Sequence, residues 1–177
     1  MQAFMYNSSM YDEKARVSYL RNFIFGVEDS LVSAVGMMSG IALSGVAGRT
    51  ILLTGIVYIF VEAFSMAAGT FLSERTGEEY ETQHEASPLR AEAAGAIMFV
   101  SYIIAGIIPI APYAFFDPIR ATIVSIIGSI VALALLGALG ARISKTPVLA
   151  RVVQMSAVGG AAIVLGIVVG NITTAFL

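Results

Sequence analysis

Five runs of apolar residues decide what this chain can become, because a helix needs roughly 20 of them to cross a bilayer core of about 30 Å. They extend from about Phe23 to Val46, Ile51 to Leu72, Ala93 to Tyr113, Ala121 to Ala141 and Val152 to Phe176. In lipid every backbone N–H and C=O must be satisfied within the element, so runs of this length predict helices. The breaks between them carry turn and capping chemistry. "AGRT" (Ala47 to Thr50) is a short Gly-containing polar turn, "FFDPIR" puts Pro118 at a helix start, and "RISKTP" closes a helix with cations before Pro147.

Composition supports the same class. Only 12% of the residues are charged, where a soluble domain carries about a quarter. The expected fold is an all-α integral membrane protein: a five-helix transmembrane domain over residues 23–177, preceded by an N-terminal segment, 1–22. Tyr11 to Ile24 reads as a short amphipathic helix lying on the membrane surface before the first span. Residues 73–92, "SERTGEEYETQHEASPLRAE", read as an acidic loop. No basic stripe suited to nucleic acid is present, and the polar, mixed-charge first 20 residues do not resemble a cleavable signal peptide. The chain has no cysteine, which excludes disulfides, thiolate metal sites and cysteine nucleophiles.

The cations set the orientation. One side of the membrane receives Lys14, Arg16, Arg21, Arg75, Arg90, Arg142, Lys145 and Arg151; the other receives Arg49 and Arg120. The positive-inside rule then puts the N-terminus in the cytoplasm and the C-terminus outside. A plasma or bacterial inner membrane is the expected location, with an organelle membrane as the alternative.

A charged side chain near the membrane centre costs about 3 kcal/mol on insertion scales, so the acids inside these spans call for a reason. Asp29 lies in the first span and Glu62 in the second, with Glu28 about 100° around the helix from Asp29. The tight turn between the spans makes them antiparallel neighbours, which brings Asp29 and Met66 to similar depth with Glu62 one turn deeper. Asp29, Ser33, Gly36 and Gly40 share one helical face. Gly55, Tyr58, Glu62, Ser65, Met66 and Gly69 share another. Together the faces describe a polar groove, with the glycines serving helix packing. Each feature also has a plainer reading. A protonated, hydrogen-bonded carboxyl can be structural, and methionine is a common gap-filler.

Carboxylates and a thioether without His or Cys suit Fe²⁺ or Mn²⁺, with Co²⁺, Ni²⁺ and Zn²⁺ as further candidates. Mg²⁺ and Ca²⁺ make no use of the sulfur. These ions would be cargo, and no permanently bound cofactor is expected. One chain supplies about three side chains, too few for six-coordination, so a homodimer with both grooves at its axis is expected; "GMMSG" (Gly36 to Gly40) offers a close-packing face. An empty site in low dielectric favours protonated acids and a divalent cation favours ionised ones, which couples metal to protons. The partners expected are therefore the lipid bilayer, a second copy of the chain, divalent metal ions and protons.

Three runs resemble signatures of the vacuolar iron transporter family. "RNFIFGVEDSLVSAVGMMSG" resembles its first helix, "FVEAFSMAAGTFLSERT" its second, and "AGAIMFVSYIIAGIIPIAPY" its third. The resemblance covers nearly all of the chain from Arg21. It implies a five-span homodimer moving Fe²⁺, and often Mn²⁺, out of the cytosol in exchange for protons, with the family's pathway aspartate at Asp29 and its methionine at Met66. Three departures stand out. The family's Asn-Asp-Gly is Glu28-Asp29-Ser30 here. The acidic position two turns before the methionine is Tyr58, with Glu62 one turn closer. A long glutamate-rich cytosolic domain is replaced by about 20 residues holding Glu74, Glu78, Glu79, Glu81, His84 and Glu85, which could capture metal ahead of the pore or simply be solvated.

Two other functions fit the residues: a non-transporting scaffold or metal sensor held together by its buried acids, and a proton-coupled exporter of organic cations. An enzyme is disfavoured because the spans contain neither HExxH nor any histidine.

Overall fold

The computed structural model describes residues 2–83 and 88–176, with side chains from 13 onward. Its described elements are helices: α1 (Gln2–Leu43), α2 (Gly48–Thr82), α3 (Pro88–Ile110), the single turn α4 (Pro112–Phe115), α5 (Pro118–Ile143) and α6 (Val148–Phe176). Five of them are long and apolar enough to cross a membrane.

The helix ends follow local chemistry. Ala47 is extended just before α2, and Gly45 adopts φ +78° in the preceding turn, a conformation that glycine takes without steric cost. Asp117 caps α5 by accepting a hydrogen bond from the Arg120 N–H at 3.2 Å, with Pro118 at the first helical position. Pro109 lies within the last turn of α3, and its carbonyl accepts a hydrogen bond from Ser125 Oγ at 2.8 Å, which ties α3 to α5.

Two boundaries differ from the sequence expectation. No separate surface helix precedes the first span: α1 runs unbroken for 42 residues, about 63 Å at 1.5 Å per residue. The reason is local, since no Gly or Pro occurs between Gln2 and Phe25 to turn the chain. Likewise, most of the expected 73–92 loop is helical. α2 continues to Thr82, supported by an Arg75–Glu79 ion pair one turn apart (3.3 Å), and stops where Gln83 enters the left-handed region and donates its N–H to the Glu79 carbonyl. α3 then starts at Pro88, a favourable first helical residue.

α1 is the central helix, in contact with α3, α6 and α5, while α2 packs mainly on α3 and touches α1 along a thinner seam. Ala34, Met38, Ile51, Ile59, Ala63 and Tyr102 form one buried cluster; Leu31, Ala105, Leu133, Leu136 and Met155 form another. Outward-facing Leu53, Val57, Phe60 and Phe64 on α2, and Ile123, Ile127, Val131 and Leu135 on α5, present the apolar surface that lipid requires.

The glycines of "GMMSG" are already used within the chain. A Cβ on Gly36 would meet the Ala162 carbonyl oxygen of α6 at 2.9 Å, and one on Gly40, Gly166 or Gly170 would overlap the opposing helix backbone. This face closes α1 onto α6, as small residues allow, and leaves nothing there for a second copy to bind.

Candidate metal-binding groove

The functional residues gather along the α1–α2 seam in three tiers. At the middle tier, the Asp29 and Glu62 carboxylates lie close enough to repel one another, with Glu28 adding to the field at Asp29. Both acids are half-buried, and neither has a Lys, Arg or His partner among the described residues. Two facing carboxylates in this setting are unfavourable unless a proton or a cation is shared between them.

One turn toward the other tier, α3 joins the site through Tyr102, a fully buried phenol. Its hydroxyl lies 2.9 Å from Ser33 Oγ, and Ser33 Oγ donates to the Asp29 carbonyl oxygen at 2.6 Å. With the Ser33 proton committed to Asp29, the phenol is the donor to Ser33. Ser30 Oγ donates to the Tyr102 carbonyl at 2.7 Å, and the Tyr58 phenol faces that of Tyr102. α1 and α3 are thus tied together by hydroxyls beside the acid pair, with Tyr58 of α2 close by. Sequence reasoning missed Tyr102. The signal was a lone phenol amid "MFVSYIIAG", a group that needs a partner when buried in lipid.

The third tier is open. A groove of about 820 Å³ follows the exposed face of α1, and its walls include Asn22, Phe25 and Glu28 from α1 with Ser65, Met66 and Gly69 from α2. Met66 therefore shares its space with Glu28, while Asp29 turns toward Glu62. The two acids adjacent in sequence serve different tiers because 100° of helical rotation separates them. Nothing lies within 4 Å of a Cβ built on Gly69, so this glycine lines the groove rather than packing a helix. Gly55 does pack: Met38 Sδ would lie 2.7 Å from its Cβ.

The acids beyond Leu72 do not assemble a capture site among the described residues. Glu74 is bound by Ser18, Arg21 and Asn22, Glu81 pairs with Lys14 at 2.7 Å, and Glu79 pairs with Arg75. Helical geometry points these glutamates toward different neighbours, and no group of three His, Cys, Asp or Glu side chains fit for a metal ion occurs among the described residues, the α1–α2 seam included, where the acids stand beside hydroxyls and the Met66 thioether. His84 and Glu85 lie outside the described residues.

The sequence is similar to those of known proteins. The model of the VIT family matches residues 20–93 and 78–171. Vacuolar iron transporter homolog 2 of Arabidopsis thaliana is 31% identical over 153 residues, 79% of this chain and 76% of that protein. Vacuolar iron transporter homolog 3 of the same plant is 30% identical over 78% of this chain and 74% of its own length. VIT-like transporter 1a of Glycine max is 29% identical over 77% and 76% respectively. Family match and five spans agree: the chain is a multi-pass membrane protein belonging to the VIT family.

Proposed function

We propose that this protein carries Fe²⁺, and Mn²⁺ with it, out of the cytosol in exchange for protons, through a pathway built at the axis of a homodimer. One observation carries the reading: Asp29 lies in the field of Glu62 and Glu28, and none of the three acids pairs with a Lys, Arg or His among the described residues, an arrangement that a scaffold gains nothing from and a divalent ion stabilises. The iron named in the relatives' descriptions points the same way.

A cation entering the groove from the basic, cytosolic end first meets Glu28, Ser65 and the Met66 thioether. The sulfur favours Fe²⁺ and Mn²⁺ over the abundant Mg²⁺ and Ca²⁺, which prefer oxygen alone. The ion then passes to Asp29 and Glu62. Its charge favours their ionised forms, so protons leave as it arrives and return when it departs. Tyr102 and Ser33 hold α1 and α3 in register beside that exchange. Because one groove offers too few donors to replace a hydration shell, the second copy supplies the remainder. The α1 stripe of Val17, Arg21 and Phe25, exposed among the described residues, with half-buried Glu28 at its end, is the surface it would meet.

Purified protein in liposomes tests the reading directly. Fe²⁺ and Mn²⁺ flux that rises with an opposing proton gradient is expected; flux indifferent to pH removes antiport, and absence of flux for every divalent metal removes transport.

A further inference from the structure

A separate set of α1–α2 contacts lies toward the basic end, away from the acid pair. Glu74 stands beyond the apolar run of α2 and points back at α1. One of its oxygens accepts from Ser18 Oγ, from Arg21 Nη2 at 2.8 Å and from Asn22 Nδ2 at 3.2 Å. The Glu74 side chain is only 11% exposed, against 70% for Arg21. Asn22 also donates to Ser18 Oγ, so the donors themselves are linked. Lys14–Glu81 continues the series two turns on, as an exposed pair of small intrinsic worth.

The partners form an ordered register. Lys14 meets Glu81, Ser18 meets Glu74, Asp29 meets Glu62, and Met38 covers Gly55. As numbers rise on α1 they fall on α2, so the helices run antiparallel without slippage. α2 rests mainly on α3 and α1 on α3 and α6, and their thin mutual seam gives apolar packing little hold on this register. A charged, nearly buried acceptor shared by three donors has a much narrower choice of positions. The node lies roughly 10–18 Å along the helices from Asp29 and Glu62, close enough for stiff helices to transmit a shift. Arg21 and Ser73 also border both the 820 Å³ groove and a neighbouring 640 Å³ cavity lined by Glu13, Glu74 and Gly77, so the node stands at the wall between the two spaces.

We infer that Glu74 is a positioning residue for the metal pathway: by gathering Ser18, Arg21 and Asn22 on one carboxylate oxygen it fixes the α1–α2 register and with it the separation of Asp29 and Glu62. The functional half of this inference rests on the transport reading; the register half does not.

The absence of native cysteine makes the test specific. Glu13→Cys and Gly77→Cys, both lining the 640 Å³ cavity and with open space at Gly77, take spin labels that report the α1–α2 distance. In the full chain in liposomes, Glu74→Ala should broaden and lengthen that distance, whereas Glu74→Gln, which keeps an acceptor for Ser18 and Asn22, should stay near the parent. In unlabelled protein, Glu74→Ala should raise the KM for Fe²⁺ about tenfold per folded molecule with a smaller change in maximal flux, and Glu74→Gln should recover most of the loss. An unchanged distance in Glu74→Ala overturns the inference, as does an unchanged KM beside a transporting parent. A parent that moves no metal, combined with a lengthened distance in Glu74→Ala, removes the transport reading and leaves the register assignment standing.

Discussion

Asp29 of α1 lies in the electrostatic field of Glu62 of α2 across a thin helix seam, and neither acid is matched by a basic side chain among the described residues. Mutual repulsion is the simplest consequence. Replacing one acid by its amide should therefore leave the metal-free protein as stable as before or more so, by up to about 1 kcal/mol. The same change should lower Fe²⁺ flux at least tenfold, about 1.4 kcal/mol in transition-state terms. Thermal unfolding of Asp29→Asn and Glu62→Gln alongside liposome flux checks both halves. A fall in stability together with unchanged flux would mark the pair as structural.

Met66 carries two roles that separate by substitution. It touches the buried cluster and also lines the groove beside Glu28. Met66→Leu keeps volume and packing but removes the sulfur. Flux of Fe²⁺ should drop about tenfold in Met66→Leu and Met66→Ala alike, while only Met66→Ala should lower the melting temperature. If Met66→Leu transports like the parent, the side chain is packing alone.

Tyr102→Phe removes one hydroxyl and leaves Ser33 without its donor. A loss of about 1 kcal/mol is expected, the usual worth of such a bond. The ties from Ser30 to the Tyr102 carbonyl and from Ser33 to Asp29 remain, so the fold should persist. Chemical unfolding in detergent reads the stability, and the pH profile of flux reports any effect on the neighbouring acids.

Glycines offer a contrast pair. Gly166→Ala would drive a methyl into the Gly36 carbonyl of α1 and should destabilise by about 1–3 kcal/mol, the usual cost of overpacking. Gly69→Ala meets nothing within 4 Å and should be neutral or slightly stabilising, since alanine is the better helix former by up to about 1 kcal/mol. Melting temperatures of the two variants in one detergent settle the comparison.

The spans were legible in the sequence because the length of an apolar run is a direct measure of bilayer thickness. Asp29 and Glu62 stood out because ionisable groups in lipid are costly. Their neighbours were harder to place. A 100° offset separates Glu28 from Asp29, but the rotation of α1 about its own axis depends on α3 and α6, whose packing no local pattern encodes. Gly36 and Gly40 announced a close approach without naming α6 as its partner. The polar stretch after Leu72 has the composition of a loop, yet Arg75 and Glu79 sit one turn apart and their ion pair carries the helix past Gly77. Tyr102 lay hidden because an aromatic residue in an apolar span is hydrophobic by every scale until its hydroxyl meets Ser33.

α2 leaves the apolar layer as a continuous rod and ends at Thr82, only a few residues before α3 begins at Pro88. Its last turns do not stand free, because Lys14–Glu81 ties them to α1 beyond the apolar run. Lengthening α2 past Thr82 would therefore extend a rod that is already anchored outside the lipid layer, and the packed spans would bear none of the added leverage.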